Sequence, residues 1–278
     1  MRTLVARSPQ PDLTVGAVVA AVVLLYLPVL RSVVKLWAEV PYYSYGFLVP
    51  LFSIYLAWDA RRHVASRPAA PSRAGLGVIG AGAAVRLAGA FGGSLTAQAL
   101  SLPIVLTGAL LWTLGPARTR VLAFPLAFLA FMAPLPEGAL PAVSLPLQQV
   151  ASVAGEWLLW LFGVPVRRQG LYLILPSVTL HITEACNGLR FLLAMLVVGV
   201  AFAGTTQRTW FRRGVVVAAA LAAALVANWL RVAGTGIMAE MYGHEAAEGF
   251  YHIAWGKVIY AAMLVPFAMF VLALRRRA

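Results

Sequence analysis

The chain has 278 residues, 62% hydrophobic and only 11% charged, with a formal net charge of +13. Soluble domains carry about a quarter charged residues, so the composition excludes an ordinary soluble globule and points to an all-α polytopic membrane protein; a barrel would show short alternating segments instead. Lys and Arg fall in short clusters between apolar runs, the pattern of topology signals rather than the continuous stripe of a nucleic-acid binder.

Residues 1–13 form a polar lead with Arg2 and Arg7. The apolar run that follows is too long for the core of a cleavable signal peptide, so none is expected. Apolar stretches near 20 residues suit a hydrocarbon layer of roughly 30 Å. They predict eight spans, at 14–34, 41–59, 75–93, 97–115, 119–135, 187–205, 214–231 and 252–274. A cytoplasmic N-terminus puts Arg61, Arg62, Arg67, Arg73, Arg118, Arg120, Arg208, Arg212, Arg213, Arg275, Arg276 and Arg277 inside. The outer loops keep chiefly Arg31, Lys35, Arg167 and Arg168, an asymmetry that fixes orientation. The even count returns the C-terminus to the cytoplasm.

Residues 136–185 break the pattern and are expected outside the cytoplasm or at the interface. Pro134, Pro136 and Pro141 punctuate the entry. Residues 142–163 predict a helix with Val143, Leu147, Val150, Leu158 and Leu161 on an apolar face, interrupted by Gln148, Gln149 and Glu156. It is long enough to span. A span here would carry Cys186 to the side opposite Arg231 and His252, so an interfacial helix is preferred. Tyr172, Ile174, Val178, Leu180 and Ile182 are β-formers around the turn signal Pro176-Ser177, which predicts a short β-hairpin within 166–183. No internal repeat is visible, and one domain over 1–278 is expected.

A single cysteine excludes an intramolecular disulfide, a CxxC redox pair and a cysteine metal cluster. A lone cysteine is commonly a small buried apolar residue. This one lies in Glu184-Ala185-Cys186-Asn187-Gly188-Leu189-Arg190, at the predicted start of a helix, where free N–H groups favour a thiolate. Arg190, one turn later, would reinforce that effect and Glu184 would oppose it. Asn187 or Thr183 would cap the helix; Asn187 alternatively offers a second oxyanion donor. Asn228 and Arg231, three apart, share a helix face. Arg231 either snorkels to the headgroups or supplies fixed positive charge to an oxyanion. His252, one turn before Gly256, either joins an aromatic belt with Tyr251 and Trp255 or serves as general acid/base. His244 is a weaker candidate, and His63 and His181 are expected to be solvated. Lys257 suits lipid phosphate better than chemistry. There is no HExxH, so zinc hydrolysis is disfavoured, and no metal or other cofactor is expected. Alternating spans bring Cys186, Arg231 and His252 to one face of the membrane, the parts of a cysteine acyl-transfer site.

These blocks in order resemble the exosortase/archaeosortase family: Glu184 to Arg190, Asn228-x-x-Arg231, and Phe250-Tyr251-His252 with Gly256. Upstream, Tyr43 to Pro50, Phe124-Pro125 to Pro134-Leu135-Pro136, and Val164 to Gly170 are similar to other family segments, so the resemblance covers roughly 36–265. Tyr45 stands where many members have histidine, and Asn187 where many have serine. The resemblance implies a membrane cysteine transpeptidase or protease of the cytoplasmic membrane, its site facing outward. Its partners would be exported proteins with a C-terminal PEP-CTERM-like signal, made of a short motif, an apolar helix and a basic tail. Membrane lipids and a surface polysaccharide or lipid acceptor would complete the set. Cys186 would be the nucleophile, Arg231 the transition-state stabiliser and His252 the acid/base. A different class remains open from the residues alone: a transporter with Arg231, Asn228 and Glu184 in a polar path. A membrane acyltransferase using His252 is a third.

Overall fold

The computed structural model describes residues 11–136, 138–243 and 250–276, without the side chains of 11, 12, 250–254, 257 and 276. Contacts along the chain group it into two units, residues 1–137 and 138–278.

In the first unit, helices α1 (Pro11–Leu25) and α2 (Leu27–Glu39) meet at a 65° bend where an unbroken span 14–34 was expected. Pro28 opens α2 and cannot continue the hydrogen-bond ladder of α1. After a short 3₁₀ turn (Pro41–Phe47) come α3 (Leu48–Asp59), α4 (Arg61–Ala65), α5 (Ala74–Phe91) and α6 (Leu95–Leu114). Arg86 of α5 donates to the Leu25 carbonyl at the bend, 2.9 Å away, and its guanidinium lies 4.5 Å from the Tyr26 ring. Backbone groups freed inside a membrane must find such partners. Helices α5 and α6 pack through Gly75, Gly82 and Gly89. A Cβ at Gly82 would lie 2.6 Å from the Val105 side chain, and one at Gly75 would collide with the backbone of Trp112. Small residues let two membrane helices approach this closely.

The expected span 41–59 is interrupted. The Trp37 indole fills the space beside Gly46 and donates to the Met132 carbonyl at 3.2 Å, which holds Pro41–Phe47 in its tight turn. The twelve residues left in α3 reach about 18 Å, short of a hydrocarbon core. Residues 119–135 likewise divide into α7 (Pro116–Val121), α8 (Ala123–Phe128) and a 3₁₀ turn (Leu129–Met132). Among the described residues five helices are long and apolar enough to cross a membrane, or six if the bent pair counts as one, against the eight expected.

The second unit opens with α9 (Ala139–Leu161), the helix expected over 142–163. A three-stranded antiparallel sheet follows, β1 (Arg167–Gln169), β2 (Tyr172–Ile174) and β3 (Thr179–His181), in the order β1-β2-β3. The expected hairpin is its β2–β3 half. Strand β1 escapes a reading by β-propensity because all three residues are polar and exposed. It forms an edge strand, where such residues are usual, and is anchored by Arg168 to Glu156 at 3.3 Å. In register, Leu173 faces Leu180, and both pack with Leu159, Ile182 and Val232 in one apolar core. Tyr172 and His181 stack at 4.5 Å on the sheet's other face.

Helices α10 (Leu189–Thr206), α11 (Trp210–Tyr242) and α12 (Phe250–Arg276) share a second core of Met195, Val216, Ala220, Phe267 and Val271. Helix α11 runs to Tyr242 instead of ending at Arg231. Gly234 and Gly236, poor helix formers in isolation, are contact points in the fold. The Trp255 indole occupies the space a Cβ at 234 would need, and Leu159 lies 3.0 Å from one at 236.

Candidate active site

Cys186 closes a 3₁₀ turn, Glu184–Cys186, between the sheet and α10. Its N–H donates to the Thr183 carbonyl at 2.9 Å, and that of Asn187 to Glu184 at 3.3 Å. Gly188 then turns the chain through φ +77°. A Cβ there would sit 2.6 Å from Cγ of Asn228, so both conformation and space demand glycine. Gly188→Ala should therefore destabilise the protein by about 1–3 kcal/mol, read as a lower unfolding midpoint in micelles. An unchanged midpoint would show that the turn has another low-energy path. The left-handed step also separates Cys186 from α10. Cys186 therefore lies outside α10, whose first turn carries the exposed Arg190.

Helix α11 grips this turn from its side. Asn228 Nδ2 donates to the Cys186 carbonyl at 2.9 Å, and Arg231 Nη2 donates to the neighbouring Ala185 carbonyl. Residues three apart on a helix lie on one face, so two side chains hold two consecutive carbonyls. The Arg231 guanidinium lies 5.5 Å from the Phe191 ring centroid, and a Cβ at Gly256 of α12 would be 3.2 Å from its Cδ. Three buried polar atoms lack a hydrogen-bond partner among the described residues around this turn: Arg231 Nε, Asn228 Oδ1 and Trp255 Nε1. The thiol itself is half-buried, packs against the apolar core of the sheet and has the Thr183 hydroxyl 4.0 Å away.

A third set of contacts comes from α9. Ser144 Oγ accepts from Asn187 Nδ2 at 2.7 Å and from Gln148 Nε2 at 3.0 Å. Asn187 Oδ1 in turn accepts from the Leu189 N–H at 2.8 Å, so Asn187, not Thr183, satisfies the start of α10. Ser144, Gln148 and Asn187 are all buried. Sequence reasoning saw Gln148 only as an interruption of an apolar face and missed Ser144. The available signal was two polar residues four apart in one predicted helix, which lie side by side. Ser144→Ala strands two buried donors and should cost about 1–3 kcal/mol. Ser144→Thr, which keeps the hydroxyl, should recover part of that loss in the same unfolding measurement.

Position 252 falls in the first turn of α12, four residues before the Gly256 that lies against Arg231. The His252 side chain, all of His244 and the Lys257 side chain lie outside the described residues. Glu184 is exposed at the head of the turn, and His63 and His181 are exposed elsewhere. Among the described residues no three His, Cys, Asp or Glu side chains gather as a metal would require. Arg231 thus holds the carbonyl one residue before Cys186, and its Nε–H has no partner among the described residues; a thiol can act as nucleophile and a guanidinium as oxyanion donor. A family model described as transmembrane exosortase matches residues 37–269. No curated protein and no solved structure matches the chain.

Proposed function

The chain belongs to the transmembrane exosortase family, and from that premise we propose that Cys186 is its nucleophile, Arg231 its oxyanion stabiliser and His252 its general acid and base. The family consists of integral membrane cysteine transpeptidases that act on exported proteins with C-terminal sorting signals. In our reading the signal is PEP-CTERM-like: a short motif, an apolar helix and a basic tail. The helix lies in the bilayer beside the bundle, and the bond just outside it reaches the depth of the thiol. The Cys186 thiolate attacks that carbonyl carbon. Arg231 stabilises the oxyanion, the C–N bond breaks, and His252 gives the departing amine its proton. A thioester remains. Water, or an amine or hydroxyl of a surface acceptor, then takes the acyl group and the thiol is restored.

The observation that carries this reading is the buried Arg231 Nε–H, without a partner among the described residues, on the residue that already holds the carbonyl next to Cys186. Such a donor is costly to bury unless something pairs with it, and a tetrahedral oxyanion is the natural acceptor. Hydroxylamine supplies the test. Membranes holding the full chain and an exported reporter with such a tail should release the reporter as its hydroxamate, because the nucleophile intercepts a thioester. Release of the free carboxylate alone at saturating hydroxylamine would sink the covalent mechanism.

The same reading makes the chain one functional domain of the cytoplasmic membrane, with both termini inside. Helix α9 then rests in the outer interface and Cys186 faces outward. A membrane-impermeant maleimide should accordingly label Cys186 in intact spheroplasts. Labelling only after lysis would reverse the orientation.

A further inference from the structure

The ends of three helices enclose a second polar site that the peptide chemistry does not use. A cavity of about 530 Å³ lies where α10 turns into α11, lined by Thr206, Gln207, Arg208, Arg213 and, from the end of α12, Arg275. Three arginines line it, and no Asp or Glu is among its described lining residues. Arg213 is fixed at its rim: Nε donates to the Gln207 carbonyl at 3.0 Å, and the guanidinium lies 4.9 Å from the Trp210 ring. The first turn of α11, capped by Thr209 at the Arg212 N–H, adds the positive end of a helix dipole. Gln207 is 2% exposed. Its Nε2 donates to Thr206 Oγ1 at 3.1 Å, while its Oε1 has no hydrogen-bond partner among the described residues. The site thus offers concentrated positive charge together with one buried acceptor in need of a donor.

Its depth narrows the ligand. The eighteen residues of α10 rise roughly 27 Å, so the cavity lies about one hydrocarbon thickness from the Cys186 turn. Trp210 and Phe211 beside it are 82% and 80% exposed, as aromatic residues at a headgroup boundary are. We propose that this cavity binds the headgroup of an anionic phospholipid whose phosphodiester carries hydroxyl groups, as in phosphatidylglycerol. The guanidiniums pair with the phosphate, and a glycerol hydroxyl donates to Gln207 Oε1. A choline headgroup brings a cation among three arginines and no N–H or O–H for the glutamine.

The test uses the full-length protein in micelles and reads its unfolding midpoint against added dioctanoyl phosphatidylglycerol, dioctanoyl phosphatidylcholine or inorganic phosphate. Phosphatidylglycerol should raise the midpoint at concentrations where the choline lipid and phosphate alone do not. The double variant R208Q/R275Q changes two exposed positions and should still fold. Its apparent affinity for phosphatidylglycerol should fall about tenfold or more. Equal response to the choline lipid, or an undiminished response in the double variant, overturns the proposal. A full effect from inorganic phosphate alone overturns its lipid assignment, since the cavity would then be a free-anion site.

Discussion

Cys186→Ala should abolish release of a tailed reporter, with turnover lower by about 10⁴-fold or more, as loss of a covalent nucleophile gives in comparable enzymes. The substitution is a clean one here. The structural hydrogen bonds of the turn use the backbone of residue 186, its N–H to Thr183 and its carbonyl from Asn228, and alanine keeps both. Among the described residues the sulfur makes partly buried apolar contacts and a long approach from Thr183 at 4.0 Å. The unfolding midpoint should therefore stay close to wild type while chemistry disappears. Uncleaved reporter should accumulate, because the variant removes the sulfur and leaves the rest of the turn in place. A transporter would tolerate the same change. Retained processing by a folded Cys186→Ala protein would remove the thiol from the mechanism and with it the acyl-enzyme scheme.

The parts of the site that were legible in the sequence are those that follow from local spacing. Asn228 and Arg231 share a face in any α-helix, and in the fold they hold consecutive carbonyls. The start of α10 could be placed to within two residues because Asn187 is a capping residue. What local spacing cannot supply is the partner across space. Ser144 reaches Asn187 over forty-three positions, and nothing near Ser144 in the chain announces that contact. The spacing of Cys186 and Arg190 is read differently for the opposite reason. One turn of separation holds only in a continuous helix, and the positive φ of Gly188 sets Cys186 outside α10.

Span boundaries show the same division. Hydropathy finds apolar segments, but it does not distinguish a straight span from a broken one. The bend at Tyr26 becomes explicable only when Arg86, sixty-one residues away, is seen donating to the Leu25 carbonyl. Glycine misleads in the other direction. Gly234 and Gly236 weaken a helix in isolation, yet α11 continues through them because Trp255 and Leu159 fill the space they leave. That continuation carries α11 past Arg231 and buries the arginine's surroundings on both sides. A residue that the sequence put at a membrane boundary is thereby set inside a helix and packed against Phe191 and Gly256.

Arg231→Lys should lower turnover by about 10²-fold or more, nearly as far as Arg231→Ala, although it keeps the positive charge. The reason is the division of labour within one guanidinium. Nη2 is occupied by the Ala185 carbonyl, and Nε is buried with no partner among the described residues. A planar fork holds both donors in fixed relation, whereas an ammonium is a single compact centre on a flexible stem. If lysine reaches the Ala185 carbonyl, it has no second rigid donor for the oxyanion; if it turns toward the oxyanion, it releases the turn that carries Cys186. An interaction made only in the transition state lowers kcat and kcat/KM together, so KM for the reporter should change little. Folding gives the control. Arg231→Ala loses the bond to Ala185 and should unfold at a lower temperature than Arg231→Lys, while the two remain similarly slow. A lysine variant with wild-type kcat would show that charge alone suffices, and would assign Arg231 to holding the turn rather than the oxyanion.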